Sequence, residues 1–258
     1  MKRLLVALLF IMSASAVPLH AQSNQDAPVE LTVSAAISLK DPLDGIKAAY
    51  ARQQPNVTVT FNFGGSGALQ QQIENGAPVD VFLSAGAKQM DALDKKGLLL
   101  EGTKRNLLTN RLVLIVPLAS EDVKGFADLT KDSVKHIAVG EPKSVPAGQY
   151  AQETLVALDL LEKLKPKLVY GNDVRQVLTF VETGDADAGF VYYTDAHFSK
   201  KVKIVAAAPD SFHSPIVYPV AVVKSTHHPE QATAFLKFLS SPEARSVFEE
   251  YKFPVLGN

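Results

Sequence analysis

Two hydrophobic periods take turns along this chain. Over 57–63, Val57, Val59, Phe61 and Phe63 alternate with Thr58, Thr60 and Asn62, the period of two expected of a strand buried on one side. Over 174–181, Val174, Val177, Leu178 and Val181 fall at i, i+3, i+4 and i+7, an apolar stripe at the helical period, and Gly184 supplies the stop. The run 112–116 is continuously apolar and ends at Pro117, as in a strand covered on both faces. Further strands are expected at 31–33, 79–83, 136–139, 168–170, 188–192, 204–206 and 217–223, and a helix over 68–75. Near the end, Ser241, Pro242 and Glu243 read as a cap, a first-turn proline and an acid at the positive helix end, with Val247, Phe248 and Tyr251 on the buried face.

This alternation predicts an α/β protein whose mostly parallel sheets are flanked by helices, with too many strands for one small sheet. No internal repeat, low-complexity tract or Gly/Ser-rich linker separates independent halves, so two lobes would be joined by short crossovers.

The N-terminus changes what counts as the fold. Lys2 and Arg3 precede an unbroken apolar run over 4–12, then small residues and a cleavage point after Ala21, the pattern of a secretory signal peptide. The run is far short of the roughly 20 residues that span a bilayer. With 1–21 set aside, about 237 of the 258 residues remain, ample for one large or two modest domains. There is no Cys in the chain, hence no disulfide, no thiolate metal site and no acceptor for a lipid anchor; a soluble periplasmic monomer is expected. Losing Lys2 and Arg3 takes the formal charge from −1 to −3, which argues against nucleic acid as a partner. Any anion site must be local.

Four places bring small or hydroxyl residues to a strand-to-helix turn: 34–38, 64–68, 146–149 and 172–175. The first N–H groups of a helix lack intrahelical partners and sit at its positive end, so such turns attract anions without a charged side chain. Gly64, Gly65, Ser66 and Gly67 form the clearest of these, with Ser66 either a ligand donor or simply a helix cap. Whether the turns converge is not visible in the sequence.

Several blocks then appear in order: Ser34–Leu39 (SAAISL), Gly65–Leu69 (GSGAL), Gly76–Phe82 (GAPVDVF), Gly140–Pro142 with Val145–Ala151 (VPAGQYA), Asp173–Arg175 (DVR), Gly189–Tyr192 (GFVY) and Tyr218–Val222 (YPVAV). Together they resemble the periplasmic molybdate-binding proteins over essentially the whole mature chain. The resemblance implies a two-lobed fold with lobe 1 over 28–112 plus 214–258 and lobe 2 over 113–213. It also implies an interlobe site for molybdate or tungstate, delivery to the membrane permease of an ABC importer, and no cofactor or directly ligated metal. By motif the contacts would be Ser38 and Ser66 from one lobe and Ala147, Val174 and Tyr192 from the other. Ala147 and Val174 would contribute only backbone N–H groups. A site of neutral donors favours a fully deprotonated oxyanion, because hydrogen phosphate would bury an unmatched O–H at about 1–3 kcal/mol.

Two departures from the family pattern bear on this expectation. Fewer hydroxyls surround Ser66, so backbone N–H groups of the glycine turn would take more of the load. Asp41 and Pro42 read as a helix cap and first residue, which would leave Ser38 one turn before the helix, and the Asp41 charge would have to point away or be neutralised by a neighbour such as Lys40.

Competing readings start from the same residues. A strand, a G-x-S-x-G/A-like turn at Ser66 and a helix, followed by Asp210 and His213, approximate a serine hydrolase, though acid and base are unusually close in sequence. A receptor of the same fold for sulfate, phosphate or a small carboxylate is the third class. Arg175 would contact the anion or make a solvent-facing or interlobe ion pair, Tyr192 and Tyr193 could be ordinary packing, and His227 with His228 suits a helix entry better than a metal site.

Overall fold

The computed structural model describes residues 28–257; the expected signal peptide lies outside them. The first sheet contains β1 (Val29–Ala36), β2 (Val57–Gly64), β3 (Val81–Leu83), β4 (Arg105–Thr109) and, from the far end of the chain, β10 (Val217–Val222). The second holds β5 (Leu112–Pro117), β6 (Ile137–Gly140), β7 (Leu168–Gly171), β8 (Ala188–Tyr192) and β9 (Val202–Ala207). Their orders are β2-β1-β3-β10-β4 and β7-β6-β8-β5-β9, one topology used twice although the sequence carries no visible repeat. In each sheet one strand runs against the rest, β10 in the first and β5 in the second. Each is the strand that has just crossed from the other lobe. The sheets are therefore mostly parallel, with the crossovers falling at 110–111 and 208–216.

Helices cover these sheets: α1 (Lys40–Gln53), α2 (Ser66–Glu74), α3 (Ala87–Lys95), α4 (Pro146–Ala157), α5 (Leu161–Leu164), α6 (Val174–Thr183), α7 (Tyr193–His197), α8 (Pro229–Phe238) and α9 (Pro242–Glu250). Helix α6 follows its sequence pattern closely. Val174, Val177, Leu178 and Val181 are buried, Asp173 Oδ1 caps the Gln176 N–H at 2.9 Å, and Gly184 closes the helix at φ +80°. In α9, Ser241 accepts from the Ala244 N–H, with Phe248 and Ala244 fully buried and Val247 and Tyr251 only partly so.

The continuously apolar β5 is indeed covered on both faces, Leu112 to Val116 each being no more than 1% exposed. Expected strand ends shift by up to three residues, the largest being the end of β1 at Ala36 rather than residue 33. One strand went unpredicted. In β4, Leu107 and Leu108 are adjacent buried residues between partly exposed neighbours, with no alternation to mark them.

In both sheets the parallel strands end toward the gap between the lobes. The strand order reverses beside β1 and beside β6, and the loops leaving those ends diverge to leave a crevice, the place where open α/β sheets bind ligands.

Candidate functional site

All four turns singled out in the sequence meet at this crevice. Residues 36–38 and 64–66 from the first lobe face 145–147 and 173–174 from the second around a small pocket. Ser38, Ser66, Ala147, Val174 and Tyr192 all line it, and none is more than 3% exposed. The turn at Ala85, which sequence reasoning passed over, completes the wall.

Each element presents its residue by a definable local cause. Pro146 occupies the first turn of α4, where its missing N–H costs nothing, and places Ala147 behind it among the unpaired amides. Val174 is the first residue of α6 behind the Asp173 cap. Ser66 is the first residue of α2, and its N-cap is Gly65 with no side-chain capping bond. Its hydroxyl is therefore not a helix cap; Ser66 Oγ instead accepts the Ala85 N–H at 2.9 Å.

Ser38 departs from expectation. A short 3-10 turn, Ile37–Leu39, runs directly into α1 at Lys40, so Asp41 lies inside the first helical turn and caps nothing. Ser38 thus belongs to the opening of one continuous helical segment rather than preceding it by a turn, and the helix-end field acts there. Asp41 Oδ2 is neutralised across the cleft by Arg175 Nη2 at 2.7 Å, whereas Lys40 pairs with Asp44 at 2.6 Å. Arg175 consequently makes the interlobe ion pair and is absent from the pocket wall.

The glycine turn also works differently from the expectation. Gly67 N–H donates to the Ser144 carbonyl of the second lobe at 2.8 Å, so it is not available to an anion. A Cβ at Gly67 would stand 2.5 Å from the Ser144 oxygen, and one at Gly65 would stand 2.7 Å from the Asn172 oxygen. These glycines let two backbones touch across the cleft.

Tyr192 Oη donates to the Ala85 carbonyl at 3.1 Å, another bond between lobes. Its single proton serves an anion only by exchanging that partner. Burial raises the pKa of the Tyr192 phenol well above its ordinary value, and the neighbouring Tyr218, Tyr150 and Asp195 raise it further. The group stays a neutral donor at any physiological pH.

Three polar residues behind the wall were missed: Tyr218, Asn110 and Asp195. Tyr218 Oη lies 3.1 Å from Ser38 Oγ and receives Asn110 Nδ2 at 3.3 Å. Asp195 is buried, with Arg175 Nε 2.6 Å from its Oδ1 at an angle that falls short of a hydrogen bond. Burial, opposed by Arg175, raises its pKa to about 7. Asn110 and Asp195 are each a polar residue beside a buried strand, and Tyr218 lies within the YPVAV block with nothing to mark its hydroxyl as facing the site.

The field at the pocket is consequently not cationic. Arg175 is held between two carboxylates, and Asp173, itself on the wall, bonds its own helix end. What faces the interior is hydroxyls and helix-start amides. Ser66 makes no hydrogen bond to a histidine, His213 hydrogen-bonds Ser214, and His227 and His228 sit at the entry to α8; among the described residues no group of three His, Asp or Glu could hold a metal ion.

The chain matches the family described as bacterial extracellular solute-binding protein over residues 31–253. It is 43% identical to the molybdate-binding protein ModA of Haemophilus influenzae, covering 88% of this chain and 91% of that one. Identity to the ModA of Escherichia coli is 40%, over 88% and 89%. The periplasmic molybdate-binding protein of Azotobacter vinelandii superposes with a TM-score of 0.79 at 29% identity, covering 88% of this chain and all of that one. These are solute receptors and not enzymes, in keeping with a Ser66 that has no base beside it. The chain belongs to the bacterial extracellular solute-binding protein family.

Proposed function

We propose that this protein captures molybdate, or equally tungstate, in the interlobe pocket and delivers it to the membrane permease of an ABC importer. The observation that carries the reading is the convergence of two serine hydroxyls and two helix-start amides on a small pocket whose nearest cation is already paired. Such a wall suits a compact, fully deprotonated dianion: donors surround it and no buried cation has to be discharged. The 40–43% identity to ModA proteins supports molybdate as that dianion. Ser38, Ser66, Ala147, Val174 and Tyr192 are the proposed contacts, and no cofactor is required.

The protein acts outside the cytoplasmic membrane, as its family does. Among the described residues no helix is long and apolar enough to cross a membrane. Periplasmic export by residues 1–21, a monomeric state and a hinge at the two crossovers complete the proposal.

Titration calorimetry with molybdate, tungstate, sulfate and phosphate tests it. Molybdate and tungstate are expected to bind in the low micromolar range or tighter, with sulfate weaker and phosphate weakest. Tight phosphate binding, abolished by Asp173→Asn, would overturn the reading, because the wall carboxylate would then be accepting the proton of a singly protonated anion.

A further inference from the structure

Two carboxylates share Arg175, and they belong to different lobes. Arg175 Nε lies 2.6 Å from Asp195 Oδ1 within lobe 2, and its Nη2 lies 2.7 Å from Asp41 Oδ2 of lobe 1. Among the described residues Arg175 is the only cation within ion-pair distance of either acid. Lys40, next to Asp41 in the chain, is hydrogen-bonded to Asp44 at 2.6 Å. The Asp195 side chain is fully buried and neither of its oxygens is hydrogen-bonded, so Arg175 is what balances it. The Asp41 side chain is partly exposed. Neither Asp41 nor Arg175 lines the pocket, but each stands close to a residue that does. Arg175 follows Val174 in the first turn of α6. Asp41 is three residues beyond Ser38 on one continuous helical segment, a spacing that puts the two on the same side.

The two pairs respond differently when the lobes part about the proposed hinge. Arg175 and Asp195 travel together within lobe 2, and their pair is kept. Arg175 and Asp41 separate, which leaves Asp41 without a cross-cleft cation beside lobe 1's half of the site. An unpaired carboxylate there opposes an approaching dianion, and solvent weakens that repulsion over a few ångströms without abolishing it. Closure brings Arg175 back and cancels the charge as the second lobe reaches the anion. Asp173, the acid on the wall, bonds its own helix end inside lobe 2 and is unaffected by the separation.

We infer that Asp41 is a conditional repulsive charge, bared in the open protein and cancelled by Arg175 in the closed one, which confines tight anion binding to the closed form and favours release on opening. Arg175 then acts on affinity through Asp41 and without touching the ligand, and Asp195 holds it in place to do so. The inference rests on the proposed anion site.

Molybdate binding to the full mature protein is measured at equilibrium and by stopped-flow mixing, with sulfate as a second anion, for the wild type, Asp41→Asn, Arg175→Gln and the double variant. Arg175→Gln leaves Asp41 uncancelled in both forms, and affinity is expected to fall about tenfold. Asp41→Asn removes the repulsion together with a partly exposed ion pair of modest worth, so affinity stays within about threefold of the wild type. Its association rate rises about threefold or more in low salt, and the gain fades as salt is added. The double variant returns to the affinity of Asp41→Asn. Arg175→Gln also strips Asp195 of its cation; should it not fold, Arg175→Gln combined with Asp195→Asn takes its place in the cycle. A double variant as weak as Arg175→Gln would mean that Arg175 serves the anion itself, and equal losses in all three would mean a plain latch. Either result overturns the inference, as does an unchanged association rate for Asp41→Asn in low salt. If the wild type binds sulfate and not molybdate, the molybdate reading fails, while the same cycle run with sulfate still tests Asp41. No binding of either anion by the wild type would overturn both.

Discussion

Ser66 has a structural role and, in the proposed function, a binding role as well. Its oxygen holds the buried Ala85 N–H, and its proton remains for the cleft. Ser66→Ala is therefore expected to do two things: weaken molybdate binding by about tenfold and lower stability by about 1–3 kcal/mol, the penalty for a buried donor left unpaired. Calorimetry and thermal melting of the same preparation check both, and lost affinity with unchanged stability would mean that the Ala85 bond is not maintained. Asp195 offers a pH signature at the same scale. Its pKa is raised to about 7 in the fold by burial, against about 3.9 unfolded. A carboxyl raised in this way contributes stability that is fully present below about pH 3.9 and is lost as pH rises through about 7. Relative to Asp195→Asn, the wild type should lose melting temperature between about pH 4 and about pH 7; a constant difference would place the titration elsewhere.

At the scale of elements, the opposed helix starts are the proposed binding parts, and the glycine turn is the surface on which the lobes meet. Gly67→Ala would place a methyl against the Ser144 backbone, which cannot yield as a flexible side chain would. The lobes must part to accommodate it. Molybdate affinity should fall by at least about tenfold, while the melting temperature without ligand changes little, since the nearest atoms the methyl meets are the Ser144 backbone of the opposite lobe. An unaltered affinity would mean that the lobes need not close this far to bind.

The elements themselves were legible from the sequence where periodicity and punctuation agreed, as in α6 with its Asp173 cap, apolar stripe and Gly184 stop. They were illegible where tertiary context overrode local signals. Asp41 with Pro42 has the form of a helix start, yet the 3-10 turn before it draws the helix back past Lys40. Gly67 looked like an anion donor because sequence shows an amide but not the carbonyl that takes it. Tyr218, Asn110 and Asp195 come from separate parts of the chain, and only the fold brings them behind the same wall.

At the scale of the molecule, two lobes of one topology face each other through the carboxyl ends of their strands. Gly67 to Ser144, Tyr192 to Ala85 and Arg175 to Asp41 bridge them. The ion pair is partly exposed, its side chains 35% and 45% accessible, so its direct contribution is modest, about 0–1 kcal/mol. Its larger effect is to keep the Asp41 charge from facing an anion. The proposed site is one of neutral donors on buried residues, where fixed amides and hydroxyls act more strongly than they would in solvent. The most direct measurement is a crystal structure of the protein grown with molybdate, with anomalous diffraction collected at the molybdenum edge. The account predicts one strong peak in the interlobe pocket, with oxyanion oxygens within hydrogen-bond distance of Ser38 Oγ, Ser66 Oγ and the Ala147 and Val174 amides. A peak elsewhere, or an anion held by Arg175 or another cation, would contradict it.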